Sequence, residues 1–138
     1  MNESAASAAT RLAGRVLLAA IFIMAGSNKL GAYAGTQGYM ESMGVPGALL
    51  PLVIALELGG GLAILAGWQT RIAAFLLAGF CIVSAALFHA NLADQMQSIM
   101  FMKNLAIAGG LLTVVASGAG AWSVDALTRR GSHAAHPA

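Results

Sequence analysis

The sequence predicts an all-α integral membrane protein, a single-domain bundle of four transmembrane helices with both termini in the cytoplasm. Three observations predict it. Of 138 residues, 59% are hydrophobic and only 9% charged, with a mean hydropathy of +0.79, whereas soluble domains carry about 25% charged residues. Four apolar stretches, at about 12–30, 48–67, 71–90 and 99–118, are each long enough to cross a hydrocarbon core of about 30 Å as helix. Unpaired backbone groups are intolerable in lipid, so these stretches must be helical. Finally, an even number of spans puts Arg11, Arg15, Arg71, Arg129 and Arg130 on the side of the termini and only Lys29 and Lys103 on the other, the asymmetry of a cytoplasmic, positive-inside face.

Arg11 and Arg15 precede the apolar run Val16–Gly26 as in a signal peptide, but no small-residue cleavage site follows before Asn28 and Lys29, so the first span is read as retained. Arg15 is expected to snorkel to the headgroups, as is Arg71. The first loop, Gly31–Gly47, is Gly-rich; within it Gly35–Met43 forms either a short interfacial helix carrying Tyr39, Met40 and Met43, closed by Gly44 and Pro46, or an irregular loop. Gly67 and a tight turn at Trp68, Gln69 and Thr70 separate the second and third spans. Asn91–Ser98 is a polar connection in which Asp94, Gln95 and Gln97 are read as solvated, and 128–138 as a flexible tail. Trp68 and Trp122 fall at the interface of the terminal side, where indoles prefer to sit. A faint likeness between Glu57-Leu-Gly-Gly-Gly-Leu62 and the stretch Asn104–Leu111 leaves a duplicated hairpin open.

Composition also excludes functions. The net charge of +2 comes from seven basic residues with no Lys/Arg run, so nucleic acid is not an expected partner; membrane lipids are. Cys81 is the single cysteine, which rules out a CxxC redox pair. His89 is the one histidine within the spans, with His133 and His136 in the tail, too few ligands for a zinc or bis-histidine haem site. No metal and no resident cofactor are expected.

Polar residues within spans are costly unless they face the bundle interior. At steps of three or four residues, Arg15, Ala19, Phe22, Gly26 and Lys29 share one face of the first span. Val53, Glu57, Gly60, Gly61 and Ile64 do so in the second, Ala74, Ala78, Cys81, Ala85 and His89 in the third, and Lys103, Ala106, Gly110, Thr113 and Ser117 in the fourth. Small residues let membrane helices approach closely, so each stripe is read as a packing face. Running the helices out and back then places Lys29, Glu57, His89, Lys103 and Asn104 in one polar cluster away from the termini. Either Glu57 neutralises Lys29 or Lys103 and fixes register, or the cluster lines a pocket for a quinone or another lipid-soluble ligand.

Several motifs in order carry a resemblance: Arg-Leu-Ala-Gly-Arg at 11–15, Gly26–Lys29, Met43-Gly-Val-Pro46, Glu57-Leu-Gly-Gly-Gly-Leu62, Gly67–Arg71, Phe88-His89, Phe101-Met-Lys-Asn104, Gly109-Gly110 and Gly118–Asp125. Over about residues 10–127 the chain resembles the DoxX family of bacterial inner-membrane proteins; its short histidine-containing tail stands outside that pattern. The resemblance implies a multi-pass inner-membrane protein related to the membrane subunits of sulfur-linked quinone oxidoreductases, with Lys29, Glu57, His89, Lys103 and Asn104 as the recurring polar positions. The expected function is quinone binding, or assistance to a quinone-linked oxidoreductase partner in a larger membrane complex. Glu57 and His89 would transfer protons, and Lys29, Glu57, His89, Lys103 and Asn104 would bind the ligand. The alternatives are a structural or assembly subunit without redox role and, third, a small proton-coupled transporter. Turnover by the chain itself, and homo-oligomerisation, stay open at this level.

Overall fold

The computed structural model describes residues 3–134 and is all-helical. In chain order it contains α1 (Ala5–Gly31), α2 (Tyr33–Ser42), a single 3-10 turn at Gly47–Leu49, α3 (Leu50–Ala66), α4 (Thr70–Phe88), α5 (Gln95–Ser117) and α6 (Val124–Ala134). Four helices are long and apolar enough to cross a membrane, namely α1, α3 with its preceding turn, α4 and α5. The four-span reading holds.

Helix ends follow capping chemistry more than the edges of the apolar runs. Ser4 accepts a hydrogen bond from the Ser7 N–H at 3.1 Å and starts α1 at Ala5, earlier than the apolar edge near 12, because Ala-rich sequence propagates helix without needing lipid. Asp94 does the same for α5, accepting from the Gln97 N–H at 2.9 Å. Gln95 and Gln97 therefore belong to the first turn of a helix and not to a loop. Gly67, at φ 71°, closes α3 in the left-handed conformation. The Trp68 and Gly67 N–H groups reach back to the Ala63 and Ile64 carbonyls, the double bond of a Schellman end.

The tail differs from expectation: α6 runs through Ala134, so the helix extends beyond residue 128, where flexible chain was expected. Ser123 caps it, accepting from the Ala126 N–H at 3.2 Å. Residues 135–138, with His136, lie outside the described residues, as does the side chain of His133.

α1 packs along α3, and α4 along both α3 and α5. The core comprises Ala19 and Phe22 of α1, Ile64 of α3, Ala74, Leu77, Ala78 and Cys81 of α4, and Ala108 and Leu111 of α5. Two glycines set the α1–α3 approach. A Cβ on Gly26 would stand 2.7 Å from Leu58 Cγ, and one on Gly61 would stand 3.0 Å from Ile23 Cγ1, so neither position admits a larger side chain without a shift. Leu17, Met24, Leu52, Ile72, Phe75 and Met102 point outward, the apolar surface that lipid tails would cover.

Three of the four stripes are packing faces; the fourth is not. Lys103, Ala106 and Thr113 are exposed, and α5 instead buries Ala108 and Leu111 against α4. Gly110, Thr113 and Ser117 look across an open groove of about 410 Å³ toward Gly14, Leu17 and Leu18 of α1. The stripe faces α1, but α1 does not close on it.

Candidate functional site

The two ends of the bundle hold different polar arrangements. At the end bearing the chain termini, Arg15 lies wholly within the protein, 1% exposed. Its Nη1 donates to the Ile64 carbonyl at 3.1 Å and the Leu65 carbonyl at 2.9 Å, and its Nη2 to the Trp122 carbonyl. The expectation that Arg15 snorkels is therefore corrected. The last carbonyls of a helix have no partners within it; Arg15 supplies one for Leu65 and a second donor for Ile64, which also accepts from the Gly67 N–H, while tying down the 118–123 segment. Its partners lie 49 to 107 residues away, beyond any local pattern. Arg71 is exposed, in keeping with its reading.

Asp125 completes this end. Gln69, at φ 47°, offers α4 no cap of its own. The Asp125 carboxylate caps it from outside, accepting from the Gln69 N–H at 2.9 Å and the Thr70 N–H at 3.1 Å. Burial raises the Asp125 carboxyl, but the Thr70 side chain, the Thr70 and Gln69 N–H groups and the Arg129 charge outweigh it and hold the group below its ordinary value. Its contribution is thus complete above the unfolded-state value of about 3.9 and fades as pH falls through the lowered folded-state value. Asp125→Ala is expected to cost about 1 kcal/mol, the usual worth of a cap. The deficit relative to wild type should be constant above about pH 4 and shrink below it, as read by thermal unfolding across pH.

The opposite end holds the candidate site. Lys29 Nζ stands 3.0 Å from both Glu57 oxygens. Glu57 is 3% exposed, and the Lys29 side chain 27%. Gly26, one turn before Lys29, admits α3 closely enough for this pair to form. The pair sits in the wall of a pocket of about 190 Å³ that also contains His89, Thr36, Tyr39, Met40, Val53, Phe80, Ser84 and Phe88. His89 follows the last turn of α4, and its Nδ1 lies 2.8 Å from the Gln97 amide oxygen.

Of the five expected cluster members, the structure brings together Lys29, Glu57 and His89. Lys103 is exposed on α5, and the Asn104 amide donates to the Met100 carbonyl of its own helix at 2.9 Å. Neither lines the pocket. The cause is the face that α5 presents: it packs on α4 through Ala108 and Leu111, so the Lys103 stripe looks onto the open groove beside α1 and not into the pocket.

The rest of the pocket comes from α2 and from one face of α4. Gly35–Met43 takes the helical alternative, with α2 at Tyr33–Ser42 folded back on the bundle. Met40 buries against Leu50 and Ile54, and the Tyr39 ring stacks on Phe88 at 5.6 Å. Phe80, Ser84 and Phe88 recur every fourth residue on α4, a signal available in the sequence beside the small-residue stripe. A second, wholly apolar groove of about 270 Å³ adjoins the pocket, shares Met40, Val53, Phe80, Ser84 and Phe88 with it, and continues along Leu49, Leu52, Leu56 and Leu87. Among the described residues no three His, Cys, Asp or Glu side chains converge.

Comparison with known proteins gives consistent matches. The family model described as DoxX matches residues 10–90. The chain is 55% identical over 119 residues to the inner membrane protein YqjF of Escherichia coli strain K12, covering 86% of this chain and 92% of that protein. It is 33% identical over 121 residues to the inner membrane protein YphA of the same strain, covering 83% and 86%. No solved structure matches.

Proposed function

The chain belongs to the DoxX family as a multi-pass inner-membrane protein, and from that premise we propose that it binds the head of a membrane quinone between Lys29, Glu57 and His89. It does so as a membrane subunit serving a quinone-linked oxidoreductase partner. The arginine-rich end that carries both chain termini faces the cytoplasm, as the positive-inside rule requires.

The observation that carries this reading is the union of two unlike cavities. The pocket with the ion pair offers charged and hydroxyl groups between aromatic rings, and the groove adjoining it, which shares five of its lining residues, offers an apolar wall. Neither alone, but the two together, reach the roughly 300–1,000 Å³ of small-molecule sites. A flat ring bearing oxygens with a long isoprenoid tail matches that division: ring edges toward Lys29 and His89, ring face toward Phe80 and Phe88, tail along Leu52 and Leu87. In this reading Glu57 and His89, which both line the pocket, exchange protons with the ring oxygens. Lys103 and Asn104 have no place in this site.

The alternative, a purely structural ion pair, is favoured by the short Lys29–Glu57 contact itself. Extraction in native nanodiscs followed by mass spectrometry of the retained lipids separates the two. Near-stoichiometric quinone with the wild type, reduced at least about tenfold by Glu57→Gln in a folded protein, is the expected result; tenfold is the scale of one lost hydrogen bond to a charged group. Quinone-free preparations bound to the same larger complex in both forms would make the pair structural and the protein an assembly subunit.

A further inference from the structure

Three hollows meet at Gly118, at the end of the bundle that carries the chain termini. One, of about 430 Å³, has Arg11, Arg129, Arg130 and Glu3 in its wall beside the backbone of 118–121. The second contains Arg71, Arg129 and Asp125. The third is the open groove between α1 and α5, which shares Arg11, Ser117 and Gly118 with the first and continues along Leu17, Leu18, Gly110 and Val114. From Ser117 to Gly110 it follows α5 for about 10 Å at 1.5 Å per residue, from a charged rim into the span. Trp68 and Trp122 are exposed at this end, the level at which indoles meet lipid headgroups. Five arginines in these walls face two carboxylates, and both carboxylates are occupied. Glu3 takes the Arg11 Nε at 2.9 Å, the Ser7 hydroxyl and the Ala121 N–H; Asp125 caps α4. Arg129 and Arg130 are exposed and pair with no carboxylate among the described residues. Arg15, in the groove wall, is held by three carbonyls and no carboxylate, so its charge stays unneutralised in surroundings of low dielectric.

We propose that this end binds one anionic phospholipid, its phosphate among Arg129, Arg130 and Arg11 and one acyl chain in the groove between α1 and α5. A guanidinium meets a phosphodiester through paired N–H···O bonds, and basic pockets between membrane helices hold anionic headgroups in this way. Arg11 spends Nε on Glu3 and Nη1 on the Ser117 carbonyl, which leaves Nη2 for the phosphate. The groove suits a hydrocarbon chain: Thr113 in its wall spends its hydroxyl hydrogen on the Gly110 carbonyl at 2.6 Å, and Leu17, Leu18 and Val114 are apolar. Headgroup and chain thus enter adjoining hollows that share a rim. A second copy of the chain is a poorer occupant, because in the same membrane orientation it sets its own arginine-rich end against this one, like charge against like. This site is separate from the pocket of Lys29 and Glu57, which lies at the opposite end of the bundle.

The test uses the full chain, delipidated in mild detergent, with phosphatidylglycerol or phosphatidylcholine of identical acyl chains added stepwise and the bound lipid counted by native mass spectrometry. One phosphatidylglycerol should bind at least about thirtyfold more tightly than phosphatidylcholine, the worth of two surface arginines toward an anionic headgroup. Replacing Arg129→Gln and Arg130→Gln together should lower that ratio by about the same factor. Gly110→Leu keeps every charge; a Cβ there would stand 3.4 Å from Leu18 Cδ2, an ordinary contact, so leucine fills the groove, and the retained phosphatidylglycerol should be lost. Equal retention of the two lipids by the wild type overturns the proposal, as does an unchanged ratio in the folded arginine variant. Glycerol phosphate bound as tightly as the lipid, with Gly110→Leu neutral, marks a site for a free phosphate ester and overturns the acyl-chain assignment. A dimer that forms without lipid and is broken by Gly110→Leu gives the groove to a second copy and overturns it as well. Should either variant fail to fold, the wild-type ratio and the other variant decide.

Discussion

Arg15→Met should destabilise the protein by roughly 2–5 kcal/mol, the sum expected when two backbone carbonyls lose their only donor. The guanidinium holds two carbonyls at the C-terminal end of α3 and a third in the loop before α6. Methionine fills much of the same volume, so the loss isolates the hydrogen bonds from packing. The Leu65 and Trp122 carbonyls lose their donor and each forfeit about 1–3 kcal/mol, the Ile64 carbonyl keeps the Gly67 N–H, and the negative end of the α3 dipole loses a cation in contact. Arg15→Lys should recover only part of this, since a single ammonium cannot fork toward acceptors on two different segments. Unfolding in detergent by heat or denaturant reads the magnitude. Limited proteolysis reads the mechanism: cleavage between Gly118 and Ser123 should rise in both variants, because the Trp122 carbonyl is what anchors that segment to Arg15. A loss below about 1 kcal/mol, within the range of ordinary surface substitutions and weak bonds, would return Arg15 to the headgroup role its position in the first span suggests.

Arg15 also shows where sequence reading stops. The spans were legible because lipid leaves backbone no choice but helix, and the helix ends at Gly67 and Gly118 were legible because glycine alone adopts those positive φ values readily. Lys29 and Glu57 were legible as neighbours because each sits on a stripe of small residues that turned out to be a packing face. The same logic failed on α5. Its small-residue stripe has helical spacing as regular as the others, but α4 packs against Ala108 and Leu111 instead, and no feature within the helix distinguishes a stripe that meets a neighbour from one that faces an open groove. Arg15 and Asp125 escaped for a different reason. Both serve helix ends far away in the chain, at separations of 49 and 55 residues, and local capping rules describe only caps that a helix makes for itself. The aromatic wall of the pocket depends on α2 folding back, which the loop composition left undecided between helix and irregular chain. Tyr39 reaches Phe88 only once that choice is made.

The Lys29–Glu57 pair should show a large and lopsided response to mutation. Lys29→Met leaves a carboxylate that is 3% exposed without its counter-ion, a change expected to cost about 3–5 kcal/mol. Glu57→Leu should cost less. The Lys29 side chain is 27% exposed near the end of α1, and a freed lysine there can extend toward the interface, an escape closed to Glu57 in mid-helix. The double variant Lys29→Met with Glu57→Leu should recover to within about 1 kcal/mol of wild type or exceed it, because apolar replacements of a buried ion pair are often neutral or stabilising. A double-mutant cycle on unfolding free energies in detergent checks this, and a coupling smaller than about 0.5 kcal/mol, the level of additive distant sites, is the result that contradicts it. The double variant also divides the two roles of the pair. If Lys29 and Glu57 serve only to align α1 with α3, a stably folded double variant keeps its partner and loses nothing. If they address a ligand, that same stable protein emerges from the membrane without quinone, because Met and Leu restore the packing and offer the ring oxygens no hydrogen bond.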